Sequence, residues 1–270
     1  MTPIEARGDN SRAEEKSRDE APGEARPGGS RRQESWYIVS ASNRTSAEET
    51  LERFDSAKAA RKYRGALDHT ATHRRESRCI RRALAELPKG SRVLDLPCGA
   101  GRLLPELCGM GLAVTAVDSS PHMVELARQA AAGASLDMAD SAFVVASIFD
   151  TRFGDDDFDA VVCNRLFHHF REPEVRRRAL VELRRICRGP IVASFFCSRS
   201  IDGLFFHLKQ CFRRVKATDR IPISARVFEE DARASGLSVR RWLQTRPAVS
   251  KQWYAVLERA APVETTEHGA

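Results

Sequence analysis

Long apolar runs are missing from this chain. No stretch of its 270 residues approaches the ~18 apolar residues that a membrane span requires, so no transmembrane segment is expected. The opening Met1-Thr2-Pro3-Ile4-Glu5-Ala6-Arg7 lacks the apolar core of a secretory leader. The seven cysteines (Cys79, Cys98, Cys108, Cys163, Cys187, Cys197 and Cys211) are odd in number and form no C-x-x-C pair. Neither a disulfide framework nor a zinc site is supported by this pattern, and the expectation is a reduced, cytoplasmic chain with no metal. No internal repeat is present. No RNA-binding module is visible beyond charge.

The formal charge is +7, and the excess lies in Arg61 to Arg82 and in Arg176 to Arg220. Basic stretches of this kind serve nucleic acid, anionic lipid or acidic substrates, or simply solvate helix faces. Residues 1–35 are rich in Glu, Arg, Gly, Pro and Ser with hardly an apolar side chain. Such a segment cannot bury enough surface to offset its ordering entropy and is expected to be a disordered tail. A hydrophobic content of 42% over the rest suffices for one well-filled domain with extensions.

The chain is organised around Arg92-Val93-Leu94-Asp95-Leu96-Pro97-Cys98-Gly99-Ala100-Gly101-Arg102. An apolar run ends in a carboxylate, a small-residue turn follows, and then an amphipathic segment (Leu103, Leu104, Leu107) begins. This order reads as strand, tight loop and helix, the nucleotide corner of a doubly wound sheet. Gly99 and Gly101 allow close backbone approach or positive φ. Asp118 closes the next apolar run, Ala113 to Val117, at about the ~20-residue interval expected of a ribose-binding carboxylate.

The loop's chemistry separates two nucleotide classes. A dinucleotide corner needs a small residue three positions after the second glycine, and here that place holds Leu104. Asp95 would repel a pyrophosphate. It would attract the ammonium and sulfonium of S-adenosylmethionine, which has no phosphate, so S-adenosylmethionine is the expected cofactor.

At this point a family resemblance stands out. Val93 to Gly101 resembles motif I of the class I S-adenosylmethionine-dependent methyltransferases, of the UbiE/UbiG-like type. Val117-Asp118-Ser119-Ser120-Pro121-His122-Met123 resembles their second motif. Phe158-Asp159-Ala160-Val161-Val162-Cys163-Asn164, followed by Leu166-Phe167-His168-His169-Phe170, resembles their strand 4 region. Two departures are present: Pro97 replaces the usual first glycine, and Ser147-Ile148 stand where an Asp and a small residue commonly meet the adenine.

The resemblance implies a Rossmann-like, doubly wound seven-stranded sheet, mostly parallel with one antiparallel strand near the C-terminus. It implies that Asp95, Pro97, Cys98, Gly99 and Gly101 hold the methionine part and that Asp118 and Ser119 hold the ribose. Met123, Ser147 and Ile148 would frame the adenine, with Asn164 also on the cofactor. His168 and His169, beyond strand 4, are the catalytic candidates, because imidazole suits proton removal near neutrality.

The implied domain plan is a tail over 1–35, an N-terminal helical lid over 36–74, the methyltransferase domain over 75–258 and a loose tail over 259–270. Within it, 199–220 is a helical insertion that caps the substrate pocket and adds to the core. Smaller expectations accompany this plan. Ser46 with Glu49 has capping-box spacing for a helix reaching about Lys62, Tyr63, Arg64, His73 and Arg75 are lid candidates, and Ser120 caps a helix that starts at Pro121. The expected function is methyl transfer to a small-molecule acceptor. The alternatives are RNA methylation through the basic helices, or a non-catalytic S-adenosylmethionine-binding regulator.

Overall fold

The computed structural model describes residues 45–54, 70–213 and 220–261. The expected N-terminal tail, the helix beyond Phe54, Tyr63, Arg64 and residues 262–270 lie outside them.

Seven strands form one sheet in the order β3-β2-β1-β4-β5-β7-β6. They are β1 (Arg92–Asp95), β2 (Ala113–Asp118), β3 (Phe143–Val145), β4 (Ala160–Cys163), β5 (Ile191–Phe196), β6 (Leu237–Gln244) and β7 (Gln252–Arg259). β7 runs antiparallel to both β5 and β6, and the other six point one way. This is the expected sheet, with its single reversed strand near the C-terminus.

Continuous apolar strands such as Val161-Val162 belong in a sheet covered on both faces. Successive side chains divide between two cores. Leu94, Val161, Ala193 and Phe195 join one with Leu180, Leu183 and Phe228. Val93, Val162 and Val192 join the other with Ile80, Leu104 and Ala127. The helices supplying these partners are α2 (Ala71–Ala83), α3 (Leu104–Gly109), α4 (Pro121–Gly133), α5 (Pro173–Ile186) and α7 (Ala225–Ala234). α1 (Ser46–Phe54) and α6 (Ile201–Arg213) complete the helices described.

Several local expectations are corrected. The α1 capping box lies one residue earlier than expected: Thr45 N–H donates to the Glu48 carboxylate at 2.8 Å, and Glu48 N–H donates to Thr45 Oγ1 at 3.4 Å. Ser46 is thereby free to donate its hydroxyl to Glu172. Ser120 occupies the N-cap of α4 ahead of Pro121, but its hydroxyl makes no cap bond. Among the described side chains of α6, the helix expected to add to the core, four apolar ones point outward. Ile201, Leu204, Phe205 and Leu208 are all exposed, because the face that packs down is Gly203, which lies against the carbonyls of Cys197 and Ser198.

The chain winds from β1 outward to β3, then returns to the far side of β1 with β4. The order therefore reverses between β1 and β4, and a doubly wound sheet opens its ligand crevice beyond the carboxyl ends of the strands there.

Candidate functional site

A cavity of about 540 Å³ occupies that crevice, a size suited to a small-molecule ligand site. Its first wall is the loop after β1. Leu96 N–H and Cys98 N–H extend the strand hydrogen bonds to the carbonyls of Val162 and Val117, which fixes the loop's start. The Leu96–Pro97 peptide is cis. Gly99 then adopts φ +53 and donates its amide to Asp118 Oδ2 at 3.0 Å, while Ser120 N–H donates to Oδ1 at 2.9 Å. Each carboxylate oxygen keeps further acceptor capacity toward the cavity that Asp118 lines. Burial pushes the Asp118 carboxyl up to about 6, opposed by the amides of Ser120, Gly99 and Ser119.

The sequence-predicted residues divide between the wall and the layer behind it. Pro97, Cys98, Gly99, Asp118, Ser119, Met123, Ile148, Asn164, His168 and His169 all line the cavity. Asp95, Gly101 and Ser147 do not. Asp95 is fully buried behind the loop, with no hydrogen-bond partner on either oxygen among the described residues. Burial pushes its carboxyl to about 8, with Arg102 pulling down and Asp118 pushing further up. Gly101 has φ +78, and a Cβ there would lie 2.9 Å from the Ala127 backbone, so this glycine seats the loop against α4. Ser147 accepts Phe149 N–H at 3.2 Å, and Ala146, Ile148 and Phe149 form the wall in its place.

The loop suits a neutral diol better than a pyrophosphate. α3 is six residues long with Pro105 in its first turn, and the amides of Leu104, Glu106 and Leu107 are taken by backbone carbonyls. Few donors remain there for phosphate oxygens, whereas Asp118 presents acceptors for hydroxyl groups.

The floor beyond β4 is a polar network. Asn164 Oδ1 accepts from Ser194 Oγ at 3.1 Å and from Tyr254 Oη at 3.0 Å, which assigns the amide oxygen and leaves the N–H₂ group to donate elsewhere. Burial pushes the Tyr254 phenol well above its ordinary range, so it stays a donor. Arg165 has φ +61, and its N–H donates to Ser194 Oγ at 2.7 Å. Its guanidinium meets the buried Glu76 carboxylate at 2.7 Å, and Arg102 meets the same carboxylate at 2.7 Å. His73, expected in a lid, touches this node through Nδ1 at 2.8 Å from Arg102. Arg75 does not line the cavity.

The histidines sit on a 3₁₀ turn, Phe167–His169. His168 stacks on Phe196 at 4.0 Å between ring centroids and lies 4.2 Å from His169. Burial, then His169 and nearby cations, hold its imidazole well below the ordinary histidine range, so it stays neutral. Sequence reasoning missed Glu76, Arg102, Phe196 and Tyr254 as parts of the site. Glu76, Phe196 and Tyr254 carry no motif and reach the site from distant elements, while Arg102 ends the motif loop but shows its role only through its pairing with Glu76.

A sheet of this order, with an acid-bearing corner after β1 and β2, is the architecture of the class I methyltransferases. Residues 93–189 match the family model for a methyltransferase domain. The ubiquinone biosynthesis O-methyltransferase of Xanthomonas axonopodis pv. citri is 32% identical over 96 residues, 36% of this chain and 39% of that protein. The chain thus matches about two fifths of that relative's length. Magnesium protoporphyrin IX methyltransferase from Synechocystis PCC 6803, solved with bound S-adenosylhomocysteine, superimposes with a TM-score of 0.63 at 18% identity, covering 80% of this chain and 100% of that one. The 1,6-didemethyltoxoflavin-N1-methyltransferase of Burkholderia thailandensis gives 0.55 at 17% identity, with 79% and 89% covered. Residues 93–189 therefore match a methyltransferase domain, and the sheet around them shares the fold of these solved methyltransferases.

Proposed function

We propose that this protein is an S-adenosylmethionine-dependent methyltransferase acting on a small-molecule acceptor. The observation that carries the reading is Asp118: both oxygens are fixed by backbone amides, and the carboxylate lies on the wall of the same cavity as Asn164, His168 and His169. Asp118 would hold the ribose hydroxyls, and the backbone from Pro97 to Gly99 the methionine part. Met123 and Ile148 would frame the adenine. The relatives' activities on ubiquinone precursors, a porphyrin and a toxoflavin precursor support a small acceptor.

The cofactor supplies an electrophilic methyl group on a sulfonium. The chain's own tasks are then orientation, worth up to ~7–11 kcal/mol in well-placed reactions, and exclusion of water. For a hydroxyl acceptor, proton removal falls to His168 or His169. His168 is neutral and held by its stack on Phe196, but the same burial weakens it as a base. Thr50 and Leu51 of α1 lie on the wall and support the reading of this helix as a cover. Five buried free thiols among the described residues favour a reducing, cytoplasmic setting.

The RNA alternative draws little support, because arginines of α5 are engaged within the protein. Arg176 and Arg177 pair with Asp231, and Arg185 pairs with Glu182 and Asp155. The test of the site is Asp118→Ala. Loss of a charged acceptor for two hydroxyls should weaken S-adenosylhomocysteine binding by tenfold or more in a calorimetric titration. Affinity within twofold of wild type would remove the assignment.

A further inference from the structure

The cavity continues past the histidines to a cation that the proposed reaction does not use. Lys251 ends the β6–β7 turn, immediately before β7. Gln252 pairs with Phe196 across the β7–β5 ladder, which sets Lys251 beside the carboxyl end of β5. The ammonium lies 4.5 Å from the Phe196 ring centroid and 5.3 Å from that of Phe206, and Lys251 lines the cavity. His168 stacks on the same Phe196 ring, so the lysine and the candidate base are held by one aromatic side chain.

This ammonium makes no hydrogen bond or ion pair among the described residues. Asp202, also on the wall, influences it electrostatically without pairing, and Arg220 adds a second cationic side chain at this end. Partial burial of a charge costs free energy unless a counter-charge compensates, and the two ring faces compensate only in part. Burial, with a smaller contribution from Arg220, pushes the lysine's pKa down, while Asp202 raises it. An anion arriving from the cavity would supply the missing partner.

Position says which molecule brings that anion. From β2, which carries Asp118, to β7 is four strand steps in the order β2-β1-β4-β5-β7, roughly 19 Å at ~4.8 Å per step. β4, with Asn164 and the histidines beyond it, lies midway. A ligand held at Asp118 has its far end near β4, so an anion at Lys251 belongs to the second substrate, about two strand steps or ~10 Å further on. Phe196 and the histidine rings lie at this end of the cavity and suit a planar body. Lys251 and Arg220 set against Asp202 leave about one positive charge at this end, which matches one negative charge better than two and favours a carboxylate over a phosphate.

We infer that Lys251 is a specificity-determining residue that recognises a carboxylate on a planar, aromatic methyl acceptor. This rests on the methyltransferase reading, and the experiment separates the two. The full chain, saturated with S-adenosylhomocysteine, is titrated calorimetrically with benzoate, 2-naphthoate and indole-3-acetate, each against its own primary amide. The expected result is that at least one acid binds tenfold or more tightly than its amide. Lys251→Met should shrink that preference to within twofold while S-adenosylhomocysteine affinity stays within twofold of wild type. Lys251→Arg should retain the preference, and it serves as the test if the Met variant misfolds. Acids binding no better than their amides would overturn the inference, as would a preference that survives in Lys251→Met. Failure of the wild type to bind S-adenosylhomocysteine would overturn the methyltransferase reading itself, and this inference with it.

Discussion

Two aspartates at the ends of neighbouring strands show how placement divides the work of chemically identical side chains. Asp118 is met by two backbone amides and reaches the cavity, and its carboxyl rises only to about 6. Asp95 is sealed behind the loop without a hydrogen-bond partner among the described residues, and burial raises its carboxyl to about 8. The folded chain therefore keeps on Asp95 a proton that the unfolded chain releases above pH ~3.9. This contribution to stability is fully present below the unfolded value and is lost as pH rises toward 8. Asp95→Asn removes the ionisable group, so its melting temperature relative to wild type should climb steadily between pH 4.5 and 8.5. A difference that stays flat over that range would mean Asp95 is already ionised at the lower pH. The motif residues were legible because loop glycines and strand-end acids stand at fixed spacings along the chain. Glu76, Tyr254 and Lys251 were not, because each meets its partners only after the chain has folded; Glu76 and Arg165, for instance, are 89 positions apart.

At the scale of elements, α5 joins the site to the far edge of the molecule. Arg176, only 1% exposed, donates to the Asp231 carboxylate on α7 at 2.7 Å and to the carbonyls of Phe170 and Arg171 at 3.0 and 2.7 Å. It thus holds the segment that follows the histidine turn. Arg177 meets the other oxygen of Asp231 at 2.8 Å. Asp231→Ala would leave a buried guanidinium without its counter-charge, a change that typically costs ~3–5 kcal/mol. Chemical denaturation should show a loss of that order, and a loss under ~1 kcal/mol would mean the guanidinium finds another partner. The charge excess noted from Arg176 onward falls partly on α5, Pro173–Ile186. Its arginines could not be told from solvated charge, since pairing to α7 is a long-range fact. α6 shows the converse: a helical insertion was legible but not the side it would bury, and Gly203 packs against the chain while Ile201, Leu204, Phe205 and Leu208 are exposed. α1 is held at its start by polar contacts, with Arg171 on Glu49 at 2.8 Å and Ser46 on Glu172.

For the whole molecule, the class of fold was legible before any coordinates. Alternating apolar runs and amphipathic segments leave few topologies, and three motifs in order select one of them. Strand ends shifted modestly: strand 4 was expected from Phe158 and forms regular pairing only from Ala160, since Phe158 makes a single bridge to Cys187. The acceptor end was the least legible, being assembled from the turns before β7 and around α6, which carry no recurring pattern. The central claim concerns the corner after β1 and β2, whose Asp118 and engaged α3 amides favour a diol over a pyrophosphate. It is tested most directly by titrating the full chain with S-adenosylhomocysteine and, in parallel, with NADH. The account predicts saturable binding of S-adenosylhomocysteine and none of NADH. Binding of NADH alone, or of neither, would contradict it.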